Sequence, residues 1–161
     1  MARLASIGRC RWEDSMPGWR VATLWSAMLV LPMAPVVAQA EGAVAVGLPA
    51  DVARDGVAFG WAVDQRSAEQ AQAQALRQCQ TANSAPPATR SLCRLVRTFR
   101  RACVSVAMDP DDGTPGFGWA IEADRAAAQA AALRACVDTA GEARRGFCRV
   151  SVTECDEAEK H

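Results

Sequence analysis

The chain has 161 residues, half of them apolar, with 18 Lys plus Arg against 18 Asp plus Glu, a size that suits one domain or two very small ones. Balanced charge excludes a general attraction to nucleic acid or to an anionic membrane. The single histidine is the terminal His161, so Ser-His-Asp and Cys-His nucleophiles lack the positioned imidazole on which they depend.

Residues 1–40 read as a secretory signal peptide. Arg20 precedes an apolar run from Val21 to Val37, and Ala38, Gln39 and Ala40 form the small-x-small pattern of a cleavage site. Pro32 and Pro35 interrupt the run and no stop-transfer charges follow, which argues against a stable membrane anchor after cleavage. No cysteine stands at the cleavage point to carry a lipid. Glu13 and Asp14 suit a signal poorly, which makes Met16 the alternative start. The mature chain, 41–161, is expected to be one secreted domain beginning at Glu41, with 14 basic and 16 acidic side chains. Cys10 falls in the discarded segment, leaving Cys79, Cys93, Cys103, Cys136, Cys148 and Cys155. An even set behind a signal predicts a disulfide framework in an oxidising compartment, periplasmic or extracellular. The nearest of these cysteines are seven apart, which fits neither a zinc site nor a CxxC redox pair, so no metal or cofactor is expected.

In chain order, Gly42–Gly47 is short and apolar enough for a strand, and Leu48–Gly56 holds turn residues. Val57–Val63 alternates, with Phe59, Trp61 and Val63 on one face and Gly60 and Ala62 on the other. Ser67 and Gln70 make a capping box for a helix whose stripe is Ala68, Ala71, Ala75, Leu76 and Cys79. Large-against-small packing predicts that this stripe lies on the Phe59 and Trp61 face. After a loop through Asn83 and Pro87, strands are expected at Leu92–Phe99 and Ala102–Met108, with a turn at Asp109–Pro115. The pattern then starts again. Phe117, Trp119 and Ile121 share a face, Asp124 stands where Ser67 stood, and Ala128, Ala132, Leu133 and Cys136 repeat the stripe. Gly141 ends that helix and Phe147–Val152 is the last strand.

Self-similarity of this kind defines a tandem repeat. Gly42–Gly47 is matched with Ala102–Ala107, so repeat 42–101 and repeat 102–156 each read strand, strand, helix, strand. The fold class is α+β, six strands and two helices stapled by disulfides. A unit of roughly 60 residues buries too little surface alone, so the two are expected to share one core.

The GWA strand, the Ala-rich helix ending Ala-Leu-x-x-Cys, and the cysteine-flanked strands that follow resemble the small secreted bacterial proteins of domain-of-unknown-function family 4189. The resemblance spans Gly42 to about Asp156 and implies export, disulfides and no assigned activity. The Thr81–Ser91 insertion and the absence of tyrosine depart from the pattern.

Six cysteines allow about 15 pairings. Matching Cys79, Cys93 and Cys103 with Cys136, Cys148 and Cys155 narrows the set. Within it, Cys79 with Cys93 and Cys136 with Cys148 close the shortest loops, leaving Cys103 with Cys155 as an expected bridge between the units.

Among groups that could carry chemistry, Asp64 and Glu122 follow the two GWA strands at matching positions, either as a glycosidase-like pair or simply as strand ends at helix entrances. Asp109, Asp111 and Asp112 crowd one loop, but the spacing fails the EF-hand pattern and a solvated turn is expected. Arg90, Arg94, Arg97, Arg100 and Arg101 form a basic cluster without supporting aromatics, read as a charged strand face or edge. Alternation places Trp61 and Trp119 in the core rather than on a sugar. With catalytic residues unassigned, the expected function is a secreted, non-enzymatic binding module, inhibitor-, immunity- or effector-like, whose partner is another protein in the envelope or medium. The alternative is a small envelope hydrolase using Asp64 and Glu122.

Overall fold

The computed structural model describes residues 41–156; the expected signal peptide lies outside them, as does His161. Strands β1 (Glu41–Gly47), β2 (Ala58–Gln65) and β3 (Arg94–Phe99) form one antiparallel sheet, ordered β2-β1-β3. Strands β4 (Cys103–Met108), β5 (Phe117–Glu122) and β6 (Arg149–Cys155) form the other, ordered β5-β4-β6. Each repeat therefore builds its own sheet. The long helices are α2 (Ala68–Gln80) and α4 (Arg125–Thr139), with single turns α1 (Val52–Asp55) and α3 (Pro87–Arg90) inside segments read as loop. A 3-10 turn at Glu142–Phe147 delays the last strand, so Phe147 stands before it and is exposed.

The long helices begin where their caps predict. Ser67 Oγ accepts from the Gln70 N–H at 3.3 Å, and Asp124 Oδ1 accepts from the Ala127 N–H at 2.8 Å.

Where the helices sit corrects the sequence reading. The α2 stripe of Ala71, Ala75 and Cys79 packs on Ala43, Ala45, Ala58 and Ala62, the bare face of the first sheet, not on Phe59 and Trp61. A Cβ added to Gly60 would lie 2.2 Å from the Ala75 carbonyl oxygen and 2.4 Å from the Cys79 nitrogen; at Gly118 the Cys136 nitrogen is 2.3 Å away. Only a face without side chains admits backbone that close. The bulky faces then need another cover, and the two sheets cover each other.

Val44, Val46, Val104 and Val106 fill the middle of that interface, with Phe59, Trp61, Trp119 and Ile121 around them. The Phe59 ring centroid lies 6.0 Å from that of Phe117 and 6.3 Å from that of Trp119. Long side chains suit the roughly 10 Å spacing of face-to-face sheets. The layers run helix, sheet, sheet, helix, small packed on small outside and large on large within. Both tryptophans pack against this cluster, as their alternation predicts, and are half-buried at its margin.

The repeats superpose by pairing register two residues away from the sequence match. Val46 pairs with Phe59 as Met108 pairs with Phe117, and Val44 with Trp61 as Val106 with Trp119. An even slip keeps every side chain on its own face, which is why alternation did not reveal it.

Disulfides join Cys79 to Cys93, Cys136 to Cys148 and Cys103 to Cys155. The first two tie each long helix to the start of the strand that follows it. The third is not a bridge between the units: Cys103 and Cys155 are opposite residues of β4 and β6, within the second sheet. At the corresponding place in the first sheet stands an ion pair, the Arg100 guanidinium donating to the Glu41 carboxylate. The inter-sheet core holds the halves together where a disulfide was expected to do so.

Candidate functional site

Two grooves occupy equivalent places, each between an outer strand and the helix packed beside it. On the first repeat, Trp61, Val63 and Gln65 of β2 face Gln74, Arg77, Gln78 and Thr81, enclosing about 410 Å³. Gln78 closes part of the strand edge, its Oε1 accepting from the Trp61 N–H at 2.7 Å.

The groove on the second repeat has the same plan and a different chemistry. Phe117, Gly118 and Trp119 of β5 and Ala135 and Thr139 of α4 form one wall, and the Leu48–Val52 segment forms the other, around about 630 Å³. Ala135 is the counterpart of Gln78, each standing one residue before the helix cysteine. Thr139 Oγ1 accepts from the Phe117 N–H at 2.9 Å and donates to the Phe117 carbonyl at 2.8 Å. Leu48 is 58% exposed at the mouth.

Both walls are fixed. Asp51 caps α1 by accepting from the Arg54 N–H at 3.1 Å, and Gly56, at φ 63°, turns the chain out of it. The buried Thr89 hydroxyl donates to the Asp55 carbonyl at 2.7 Å, and the Gly47 backbone packs against Thr89 and Cys93. The Cys79–Cys93 disulfide thus stands directly behind the Leu48 wall, and Cys136–Cys148 behind the α4 wall.

The carboxylates proposed as a pair end strands of different sheets, exposed, and neither lines a groove. Asp64 has φ 57° beside an irregularity in the β1 and β2 register, a turn role. Arg94 and Arg97 are exposed along the outer strand β3, and Arg100 is engaged by Glu41. All six cysteines of the described residues are bonded.

The acidic loop is a turn with Asp111 and Asp112 exposed, as expected, but its first carboxylate is not solvated. Asp109 is 6% exposed and receives two bonds from the Arg144 guanidinium, each 2.7 Å. The same guanidinium reaches Asp111 and lies 4.0 Å above the Phe147 ring. These hydrogen bonds hold the Asp109 carboxyl below the usual range and raise the Arg144 pKa. Sequence reading missed Arg144, which lies 35 residues away with no spacing signal. Among the described residues no group of His, Cys, Asp or Glu is placed to hold a metal, and no helix is long and apolar enough to cross a membrane.

Fold and site together define a small tandem-repeat α+β domain, disulfide-stapled and with one apolar and one polar edge groove. The chain belongs to the family described as Domain of unknown function (DUF4189), whose model matches residues 42–155. A solved structure, the NMR structure of Rv1813c from Mycobacterium tuberculosis, is 19% identical over 92% of this chain and 100% of that chain, with a TM-score of 0.40. No curated protein matches.

Proposed function

We infer that the protein is an exported, non-enzymatic binding module that recognises another protein of the envelope or medium, as an inhibitor, immunity factor or effector does. The apolar groove beside β5 carries this reading. An open cleft of about 630 Å³ with Leu48 exposed at its mouth leaves hydrophobic surface in water, a cost that a binding partner removes. Walls backed by disulfides keep the surface preformed, which lowers the ordering cost of association. Three disulfides suit an oxidising compartment outside the cytoplasm. The hydrolase reading lacks such support, since Asp64 and Glu122 line neither groove.

The test immobilises oxidised protein recovered from the periplasm of an expressing host and exposes it to envelope and culture-medium fractions. A specific protein should be retained by the wild type and lost on Leu48→Asp, with no turnover of glycans, peptides or esters. Turnover abolished by Asp64→Asn would overturn the reading.

A further inference from the structure

Among the described residues, four strands form the outer edges of the two sheets, and three of them are obstructed. Strand β2 has a register irregularity near Asp64, and Gln78 sits on the Trp61 N–H. The β1 and β3 register shifts between Val44 and Ala45, and β3 carries exposed Arg94 and Arg97. The β4 and β6 register shifts between Val106 and Ala107, and Arg125 donates to the Thr153 carbonyl at 2.8 Å. Bulges, charges and side-chain caps of these kinds are how proteins prevent a strand from adding to an edge.

Strand β5 has none of them at its centre. Its pairing with β4 is unbroken from Met108 opposite Phe117 to Cys103 opposite Glu122. The Gly116 carbonyl accepts from the Asp109 N–H, toward β4, whereas the Phe117 N–H and C=O turn outward to Thr139. By the two-residue period of a strand, the N–H and C=O of Trp119 turn outward as well. In the first repeat the matching N–H, that of Trp61, is taken by the amide oxygen of Gln78; here Ala135 leaves the place open and the groove lies beside it.

We propose that β5 takes up an extended peptide segment of a partner protein as a fourth strand, hydrogen-bonded to the outward N–H and C=O of Trp119. The occupant's chemistry follows from the repeat. What Gln78 supplies to Trp61 is an amide carbonyl, and a peptide backbone presents the same group at every second residue along a strand. Alternate side chains of that segment enter the groove between Leu48, Val52 and Trp119, which selects apolar residues. Asp51 is the one charged residue of the lining, which disfavours an acidic residue there. The proposal deepens the binding-module reading and rests on it.

Selection of a random nonapeptide phage library on the oxidised protein, followed by titration of a synthetic consensus peptide, provides the test. Selected peptides should alternate apolar residues without acids, shift the Trp119 and Ile121 backbone amides in NMR spectra, and lose binding when one inward-facing amide is N-methylated. Ala135→Gln, which installs the cap of the first repeat, should weaken binding at least tenfold, and Leu48→Asp likewise, while Gln78→Ala leaves it unchanged. Tight binding indifferent to N-methylation and to Ala135→Gln overturns the added strand. If the Ala135→Gln protein still captures the same envelope partner, the strand proposal fails and the binding-module reading survives; if neither peptides nor partner are captured, both fail. A dimer in sedimentation that Ala135→Gln dissolves assigns the edge to a second copy and overturns the partner assignment.

Discussion

The close seam between α2 and the first sheet predicts a large penalty for one methyl group. In Gly60→Ala the new Cβ would stand 2.2 Å from the Ala75 oxygen and 3.0 Å from the Cys79 Cα, so α2 must retreat by about 1 Å to restore ordinary contact. The obstacle is helix backbone, not a flexible side chain, and the Cys79–Cys93 disulfide tethers that end of the helix. Overpacking of this kind costs about 1–3 kcal/mol, and the retreat also parts α2 from Ala43 and Ala45. Lower entropy of the unfolded chain returns about 0.4–1 kcal/mol. We expect a net loss of about 2 kcal/mol, a lowering of Tm by about 8 °C, against a typical total stability of about 5–15 kcal/mol. Thermal melting by circular dichroism measures it. The control is Gly146→Ala, where nothing lies within 4 Å of the new Cβ and little change is expected. A Gly60→Ala protein as stable as that control would refute the helix placement.

Removing Cys103–Cys155 by paired serine substitution should cost about 4 kcal/mol in the chain-entropy model, against about 3 for either shorter loop, as urea titration would show. Exchange should rise first in β4 and β6 amides, with the inter-sheet core intact; parting of the sheets would contradict their assignment to one half. Arg144 holds the Asp109 carboxyl below its unfolded value, so its contribution is complete above about pH 4 and is lost as pH falls through the folded value. Asp109→Asn should therefore loosen the Asp109–Pro115 loop at neutral pH and remove its acid transition, followed by NMR between about pH 2 and 7. Unchanged loop spectra at neutral pH would show that the Arg144 contact does not order it.

What could be read from the chain was what is local. Phe59, Trp61 and Val63 announce a strand by period, Ser67 and Asp124 announce helix starts, and the recurrence of the whole pattern announces two units. Alternation says that two faces differ but not what covers each, and so the face expected for α2 is the wrong one. Gly60 and Gly118 held the answer, because a glycine inside an otherwise regular strand marks a close approach of backbone. Helices α1 and α3 are single turns, too short for any periodicity to register. The Asp109 to Arg144 contact joins a loop to a distant turn, and no spacing rule reaches it. The groove was invisible for a related reason: Ala135 in place of Gln78 matters only once β5 is known to be an outer strand.

The exchange of the Glu41 and Arg100 ion pair for the Cys103 and Cys155 bond gives the two halves of the molecule different sensitivities. With the Arg100 side chain 59% exposed, the first sheet is closed at that corner by an attraction that dissolved salt weakens. The second is closed by a bond that salt leaves alone and a dithiol severs. Strand β4 belongs to that second closure on one side and carries β5 on the other. Ionic strength therefore acts on a corner of the first sheet that has no ionic counterpart in the second, whereas an electron donor acts on both halves, through Cys79–Cys93 behind the Leu48 wall and through the two bonds of the second repeat, so that salt tells the halves apart and reduction alone does not.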